Sequence, residues 1–317
     1  MQTYPIGTVL SWGNARETAF RGDALQEMRD RGWILDFAEG QVVATAPLTR
    51  LFRGFQELFR QEVAGPLGFE EWTLPRLLPQ KILRRFGSVE YAPGTLFEAR
   101  YYSESHPGRS YFLDPVQSAG LYHALSKHPL PTDILPLKVF ETLGGPQWRN
   151  EAPSELHGID KLVEYLKMEH VYVGTPEQVT ESRRIQKQTY ERIFDELGLV
   201  YRVVVGAPCH SSPQNTARYE KAKTLDEVPL FDFELYIPSE DRWMEVCGAC
   251  VEETENTEAF DITSTSGDVL WSGCSGVGLH RLAYAFLAQM GFDEKNYPEL
   301  FLRHLPPVGA VQFSGRP

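Results

Sequence analysis

No apolar run in these 317 residues approaches the roughly 20 needed to span a bilayer, and the opening MQTYPIGTVLSWGNARETAF lacks a basic start followed by an apolar stretch. The chain therefore reads as cytoplasmic, with no membrane partner. Cysteine is scarce: Cys209, Cys247, Cys250 and Cys274 all lie in the last third, too few and too clustered for a secreted disulfide framework. Metal binding, a reactive thiol or plain burial stay open for them. Positive charge is also short: 31 Lys and Arg against 43 Asp and Glu leave a net charge of −12, which argues against a large electrostatic footprint on nucleic acid, though not against local basic patches. Repeats, low-complexity segments and long linkers are absent. What is present, 42% hydrophobic and 23% charged residues, is the composition of an ordinary soluble globular protein, long enough to bury one large domain or one domain with a small appendage.

Local patterning predicts the elements. Gly40 to Ala46 predicts a short strand, and Leu51, Phe52, Phe55, Leu58, Phe59 and Val63 follow the i, i+3, i+4, i+7 spacing of an amphipathic helix that ends near Gly65-Pro66. FEEWTLPRLLP then reads as a short strand closed by Pro75. Residues 76 to 145 read as irregular, with strands at LFEARYY and SYFLDP around the turn SESHPG and a helical piece at 116 to 127. LKVFETL precedes the turn GGPQ, WRNE begins another strand, and VEYLKMEHVYVG is a strand. A helix runs from about Thr175 to Leu197, with Thr175 as cap, Pro176 in the first turn and Gly198 as stop. YRVVV is a strand, a polar loop runs to about 228, and LFDFELYIP and RWMEVCGACV form a hairpin. VLWSGC leads into a final helix from about Gly276 to Met290. Hairpins without regular βαβ alternation argue for an α+β domain on an antiparallel sheet.

Three constellations stand out. SGCSGVGLHR, residues 272 to 281, is not a dinucleotide fingerprint, because the sixth position is Arg281 and no βαβ unit follows. It leaves two glycines that permit close backbone approach and an arginine in the first turns of a helix. Strand alternation places Tyr165, Lys167 and Glu169 on one face, an aromatic, a base and an acid in register, while Arg149 and Glu151 share a face of the preceding strand. For each, the plain alternative is a solvated charge or close packing. Cys247-x-x-Cys250 has no second pair to complete a zinc site, and on a strand its two thiols point to opposite faces, so burial is the favoured reading. Cys209-His210 has no support as a site.

Taken in order, the helix and strand ending in Pro75, Arg149-x-Glu151 with its following strand, and Gly276-x-Gly278-x-x-Arg281 resemble the three signature motifs of class II aminoacyl-tRNA synthetases over about residues 47 to 290. The resemblance is closest to seryl-type cores, through LFDFELYIPSEDRWMEVCGAC, and to the amino acid:[carrier protein] ligases, truncated seryl-synthetase relatives without a tRNA-binding arm. It implies a class II antiparallel sheet flanked by helices in a catalytic domain at 46–317, an N-terminal segment at 1–45, and no anticodon- or tRNA-binding domain. It also implies roles. Arg149 would contact the ATP α-phosphate, Glu151 the adenine amino group and Arg281 the terminal phosphate. Tyr165 would stack on adenine, and Glu245 would bind Mg²⁺. Glu169 matches the glutamate that handles the substrate amine.

In the carrier-protein ligases and one branch of seryl synthetases, the Glu169 position and a cysteine seven residues before the last arginine bind Zn²⁺ with an earlier cysteine. Cys274 stands seven before Arg281, but the earlier stretch, FLDPVQSAGLYH at 112 to 123, has Ser118 or Gln117 in the sulfur's place, with His123 the one strong alternative ligand. Zinc with a substitute ligand, a metal-free pocket in which Glu169 holds the ammonium, and a site remade for another substrate all stay open. The implied activity is ATP-dependent amino-acid activation through an aminoacyl adenylate, with transfer to the phosphopantetheine thiol of a carrier protein. A small-molecule acceptor and a catalytically silent regulatory subunit are the alternatives. The implied partners are a second copy in a homodimer and the carrier protein, with tRNA not expected.

Overall fold

The computed structural model describes residues 4–13, 17–100, 110–141, 147–208 and 212–307, with only the backbone of residues 214 and 215. At its centre is an eight-stranded sheet. Its strands are β1 (Val9–Trp12), β2 (Glu70–Glu71), β3 (Leu137–Glu141), β4 (Lys167–Gly174), β5 (Tyr201–Val205), β6 (Leu230–Ile237), β7 (Arg242–Cys250) and β8 (Trp271–Gly278). They lie in the order β1-β5-β6-β7-β8-β4-β3-β2. Every neighbouring pair is antiparallel except β2 beside β3. The class II α+β fold expected from the motifs is the one observed.

The sheet has a front and a back because β6 alternates: Phe231, Phe233, Leu235 and Ile237 are buried, while Asp232, Glu234 and Tyr236 face the other way. The back face packs on α5 (Pro176–Glu196) and α6 (Leu279–Met290), with α2 (Ala46–Phe59) lying on α6. α5 begins on a complete capping box, Thr175 with Gln178, and carries Pro176 in its first turn, as the sequence suggests. α2 has the expected apolar stripe, and its Leu51, Phe52, Phe55, Leu58 and Phe59 are all in this chain's own core. Residues 4–13 and 17–45 join the same body. β1 is an edge strand paired with β5, and Ala24 and Met28 of the helix α1 (Ala24–Asp30) enter the main core.

Half of the front face is covered. The segment read as irregular contains α3 (Gln80–Phe86) and α4 (Ser118–Leu125), whose Ile82, Leu83, Phe86, Leu121 and Tyr122 pack on Val139, Val171 and Val173 of β3 and β4. The other half carries polar side chains, and the cavity described below opens where the two halves meet. The final helix starts at Leu279, later than predicted, because β8 stays paired with β4 as far as Gly278 opposite Lys167. The strand begun at WRNE ends at Trp148, so Arg149 and Glu151 sit just beyond its end. Parts of LFEARYY and LKVFETL, the turn SESHPG, and Cys209 and His210 lie outside the described residues. Among the described residues no helix is long and apolar enough to cross a membrane.

Candidate functional site

One cavity is lined by Arg149, Tyr165, Lys167, Glu169 and Cys274 from the loop after Trp148 and the strands, and by Ser118, Phe86 and Thr95 from the α3–α4 wall. The predicted alternation of Tyr165, Lys167 and Glu169 holds, although Leu166 interrupts the strand by giving its N–H to His280 Nδ1 at 3.1 Å. Glu169 is 2% exposed, and its Oε2 lies 2.7 Å from Lys167 Nζ. The close approach needs Gly276, which pairs directly with Glu169: a Cβ there would stand 1.9 Å from Lys167 Cε and 2.7 Å from Glu169 Oε2. Here the glycine keeps a charged pair in the cavity wall. The second glycine, Gly278, has no such neighbour closer than 3.7 Å.

Arg149 Nε is 3.8 Å from Glu151 Oε1, and Lys161 Nζ is 3.2 Å from Glu151 Oε2. Burial raises the Tyr165 hydroxyl above its ordinary range, opposed by the nearby charges of Lys167, Arg149 and Arg281. Arg149 and Lys167 line the same cavity as the Tyr165 ring. Arg281, third residue of α6, gives Nε to the Asp160 carbonyl at 2.7 Å, and its Nη1 lies 3.2 Å from Glu245 Oε2. The two residues assigned by resemblance to the terminal phosphate and to Mg²⁺ thus meet each other on the open half of the sheet.

Asp232 was not singled out in the sequence. Burial first, then the Glu245 and Glu234 carboxylates, push it well above the usual carboxylate range. Its signal was available: it alternates with Glu234 on β6, and Glu234 is the register partner of Glu245. Glu234 is held by Arg202 at 2.5 Å and Glu245 by Arg281 at 3.2 Å, so the three carboxylates do not close into one cation site, and Glu245, the more exposed, is the one placed to meet a Mg²⁺ that arrives with phosphates.

A second polar cluster braces the cavity from below. Arg76 pairs with Asp114 at 2.9 Å and with Glu141 at 2.5 Å, both acids buried. Asp114 Oδ1 accepts the N–H groups of Val116 and Gln117, and Gln117, at φ 62°, gives Nε2 to the Lys167 carbonyl at 3.0 Å. Gln117 is thereby a positioning residue for the loop, while Ser118 reaches the cavity lining. His123, at the far end of α4, is held below its ordinary range by burial and by Lys127, Lys81 and Arg85, and it is not part of that lining.

The cysteines are distributed otherwise than expected. Cys247 is buried in the main core, where burial pushes its thiol up, in keeping with the burial reading. Cys250 faces the other way, as strand alternation requires, and its Sγ comes within 3.3 Å of Cys274 Sγ. For Cys250 the burial reading is corrected: it stands with Cys274 and Glu252 in a group whose ligand atoms all lie within 4.8 Å of one another. As a test of fit for zinc, two thiols and a carboxylate are the right donors, but Glu169 is not in that group.

A sequence model of the family described as tRNA synthetase class II core domain (G, H, P, S and T) matches residues 101–290. The type-2 serine–tRNA ligase of Methanococcoides burtonii is 31% identical over 95% of this chain and 65% of its own length. That of Methanothrix thermoacetophila is 32% identical over 90% and 62%. The chain therefore spans just under two thirds of these relatives. Among solved structures, M. kandleri SerRS in complex with A. aeolicus tRNASec superposes with a TM-score of 0.84 at 25% identity, over 99% of this chain and 67% of that one. The cytoplasmic serine–tRNA ligase of Naegleria fowleri, in complex with AMP, reaches 0.75 at 14% identity over 94% and 64%, a likeness of fold alone. The expectation of no tRNA partner is corrected by these findings, since the relatives are tRNA ligases and one similar structure holds a tRNA. That expectation rested on the lack of a recognisable tRNA-binding module and on net charge, which averages over the whole surface and does not report local patches. A buried front-face cavity, a motif order that runs along the sheet, and a family match over residues 101–290 lead to one statement: the chain belongs to the class II tRNA synthetase core-domain family.

Proposed function

We propose that this chain activates a small amino acid with ATP, serine first among candidates, giving an aminoacyl adenylate and pyrophosphate. The observation that supports this most is the single cavity in which Arg149, Tyr165, Lys167 and Glu169 converge beside the Arg281–Glu245 pair. A substrate carboxylate oxygen attacks the α-phosphorus, a bond from that oxygen to phosphorus forms, and the bond from the α-phosphorus to the α–β bridging oxygen breaks, so that pyrophosphate leaves with that oxygen. Arg149 has the planar donor fork to hold carboxylate and α-phosphate together, which lowers the entropy cost of aligning two anions. Arg281 takes the terminal phosphate once it leaves Glu245, while Tyr165 stacks on the adenine and Glu151 accepts from its amino group. Glu245 would hold the Mg²⁺ that accompanies ATP, which would neutralise charge on the phosphates. Glu169 receives the substrate ammonium, and the wall of α3 and α4 limits side-chain size.

The relatives are serine–tRNA ligases, which favours serine as substrate and a tRNA end as acceptor. The rival acceptor is the phosphopantetheine thiol of a carrier protein, the reading closest to the sequence motifs. The test is pyrophosphate exchange with an amino-acid panel, followed by transfer from the adenylate to tRNA, to loaded carrier proteins and to small amines or thiols. Exchange with serine and charging of tRNA are the expected results. Exchange followed by carrier loading alone would move the acceptor to the thiol. No exchange with any amino acid would overturn activation and leave the silent-subunit alternative.

A further inference from the structure

We infer that Cys250, Glu252 and Cys274 form a site for a soft divalent cation, zinc above all. This inference goes beyond the adenylation reading and does not depend on it. Three observations carry it. The ligand atoms of the three residues lie within 4.8 Å of one another, with Sγ–Sγ at 3.3 Å. Tetrahedral zinc with Zn–S bonds of about 2.3 Å sets its sulfurs about 3.8 Å apart, so a small opening of the pair admits the ion.

The second observation is how Glu252 is held. Tyr122 Oη donates to its Oε2 at 3.0 Å and Ser272 Oγ at 3.4 Å, and Asn256 Nδ2 donates to the same oxygen. All three donors converge on one carboxylate oxygen, which fixes the group's orientation and leaves the other oxygen for a ligand bond, the kind of outer support that metal carboxylates receive. No cationic side chain among the described residues pairs with Glu252 at salt-bridge distance, so its remaining oxygen is free of an ion-pair partner.

The third is placement. Glu252 and Cys274 both line the cavity that holds Glu169, so a zinc with three protein ligands keeps its fourth position toward that cavity. The ligand set differs from the one expected by resemblance. Cys250 replaces the missing early cysteine from the other side of the sheet seam, and Glu252 replaces Glu169, which is occupied by Lys167.

The 317-residue chain is stripped with a chelator, reloaded with Zn²⁺ and assayed by elemental mass spectrometry. In parallel it is loaded with Co²⁺, whose sulfur-to-metal charge-transfer band counts thiolate ligands. One equivalent of zinc and a two-thiolate band are expected. Cys250→Ser should halve the band, Glu252→Gln should weaken zinc binding by more than about tenfold, and Glu169→Gln should leave both unchanged. In the wild-type chain zinc should shield Cys250 and Cys274 from alkylation, a readout that stands even if a variant fails to fold. Metal lost in Glu169→Gln but kept in Cys250→Ser would overturn the assignment. So would absence of metal uptake, or a Cys250–Cys274 disulfide in protein prepared under reducing conditions with zinc present. None of these readouts involves ATP, so failure of pyrophosphate exchange and failure of this site are separable.

Discussion

Arg281 and Glu245 sit 3.2 Å apart, half-exposed on the open side of the sheet. An exposed pair of this kind adds little stability, because water screens it and both side chains lose freedom in holding it. Its cost in stability is therefore small and its use lies elsewhere. Arg281→Ala should leave the circular dichroism spectrum and melting temperature near wild type and lower pyrophosphate exchange by about 10²-fold or more, as loss of a charge-stabilising donor does. Persistent exchange would remove Arg281 from the nucleotide site. Gly276 makes the complementary case. The atom that an added Cβ would strike is the end of a flexible lysine, which can swing away, so Gly276→Ala should fold. It should nonetheless raise the KM for the amino acid more than the KM for ATP, because Lys167 and Glu169 are the groups displaced. Equal changes in both constants would mean that the pair does not face the amino acid.

At the scale of the elements, each strand is divided by alternation into a structural and a chemical half. Phe231, Phe233 and Leu235 anchor β6 to the back layer, and the same backbone turns Asp232 and Glu234 to the front. α2 supports this from behind α6. Its Phe55 is fully buried, with Phe286 at 5.4 Å edge-on and Phe301 at 4.5 Å. Phe55→Ala should cost about 3–5 kcal/mol of unfolding free energy, since it removes a large apolar side chain and leaves a cavity that the two remaining rings cannot close. A denaturant titration checks this. A loss below about 1 kcal/mol would mean that α2 is held from outside this core.

At the scale of the whole molecule, stability depends on pH through two core histidines. Burial lowers both His170 and His280 to about 4. His170 lies among Phe69, Phe140 and Tyr190, and His280 against Phe52. Unfolded histidine titrates near 6.5, so between about 6.5 and 4 the unfolded chain takes up protons that the folded chain refuses. Their contribution is complete above pH 6.5 and is lost as pH falls toward 4, by up to about 2 kcal/mol each at pH 5. Glu252, raised to about 7 by burial, works in the opposite sense over the same range, so the histidine contribution is read as a difference: between pH 7 and pH 5, denaturant melts of His170→Phe should lose about 2 kcal/mol less than those of the wild type. Net charge belongs to this scale too, and it is weak ground for excluding a tRNA partner, because a total of −12 does not say where 31 cations stand.

The sequence by itself determined whatever depends on neighbours along the chain. The stripe of α2, the capping box of α5, the β6–β7 hairpin and the alternation of Tyr165, Lys167 and Glu169 all follow from periods of 3.6 and 2 residues or from a cap three residues away. Helices α1 and α3, seven residues each, escaped because so short a segment shows barely two turns of any pattern and owes its existence to packing. Only the tertiary structure decided which distant residues share a space. Asp232 meets Glu245 through a register that shifts between Phe233 and Glu234, and a one-residue change in that register would turn one of them to the core. Cys250 and Cys274 stand 24 positions apart in sequence and 3.3 Å apart in space, because β7 and β8 are neighbours in the sheet and both thiols fall on its front face. The chain's local chemistry specified the strands, and the pairing of those strands specified the site.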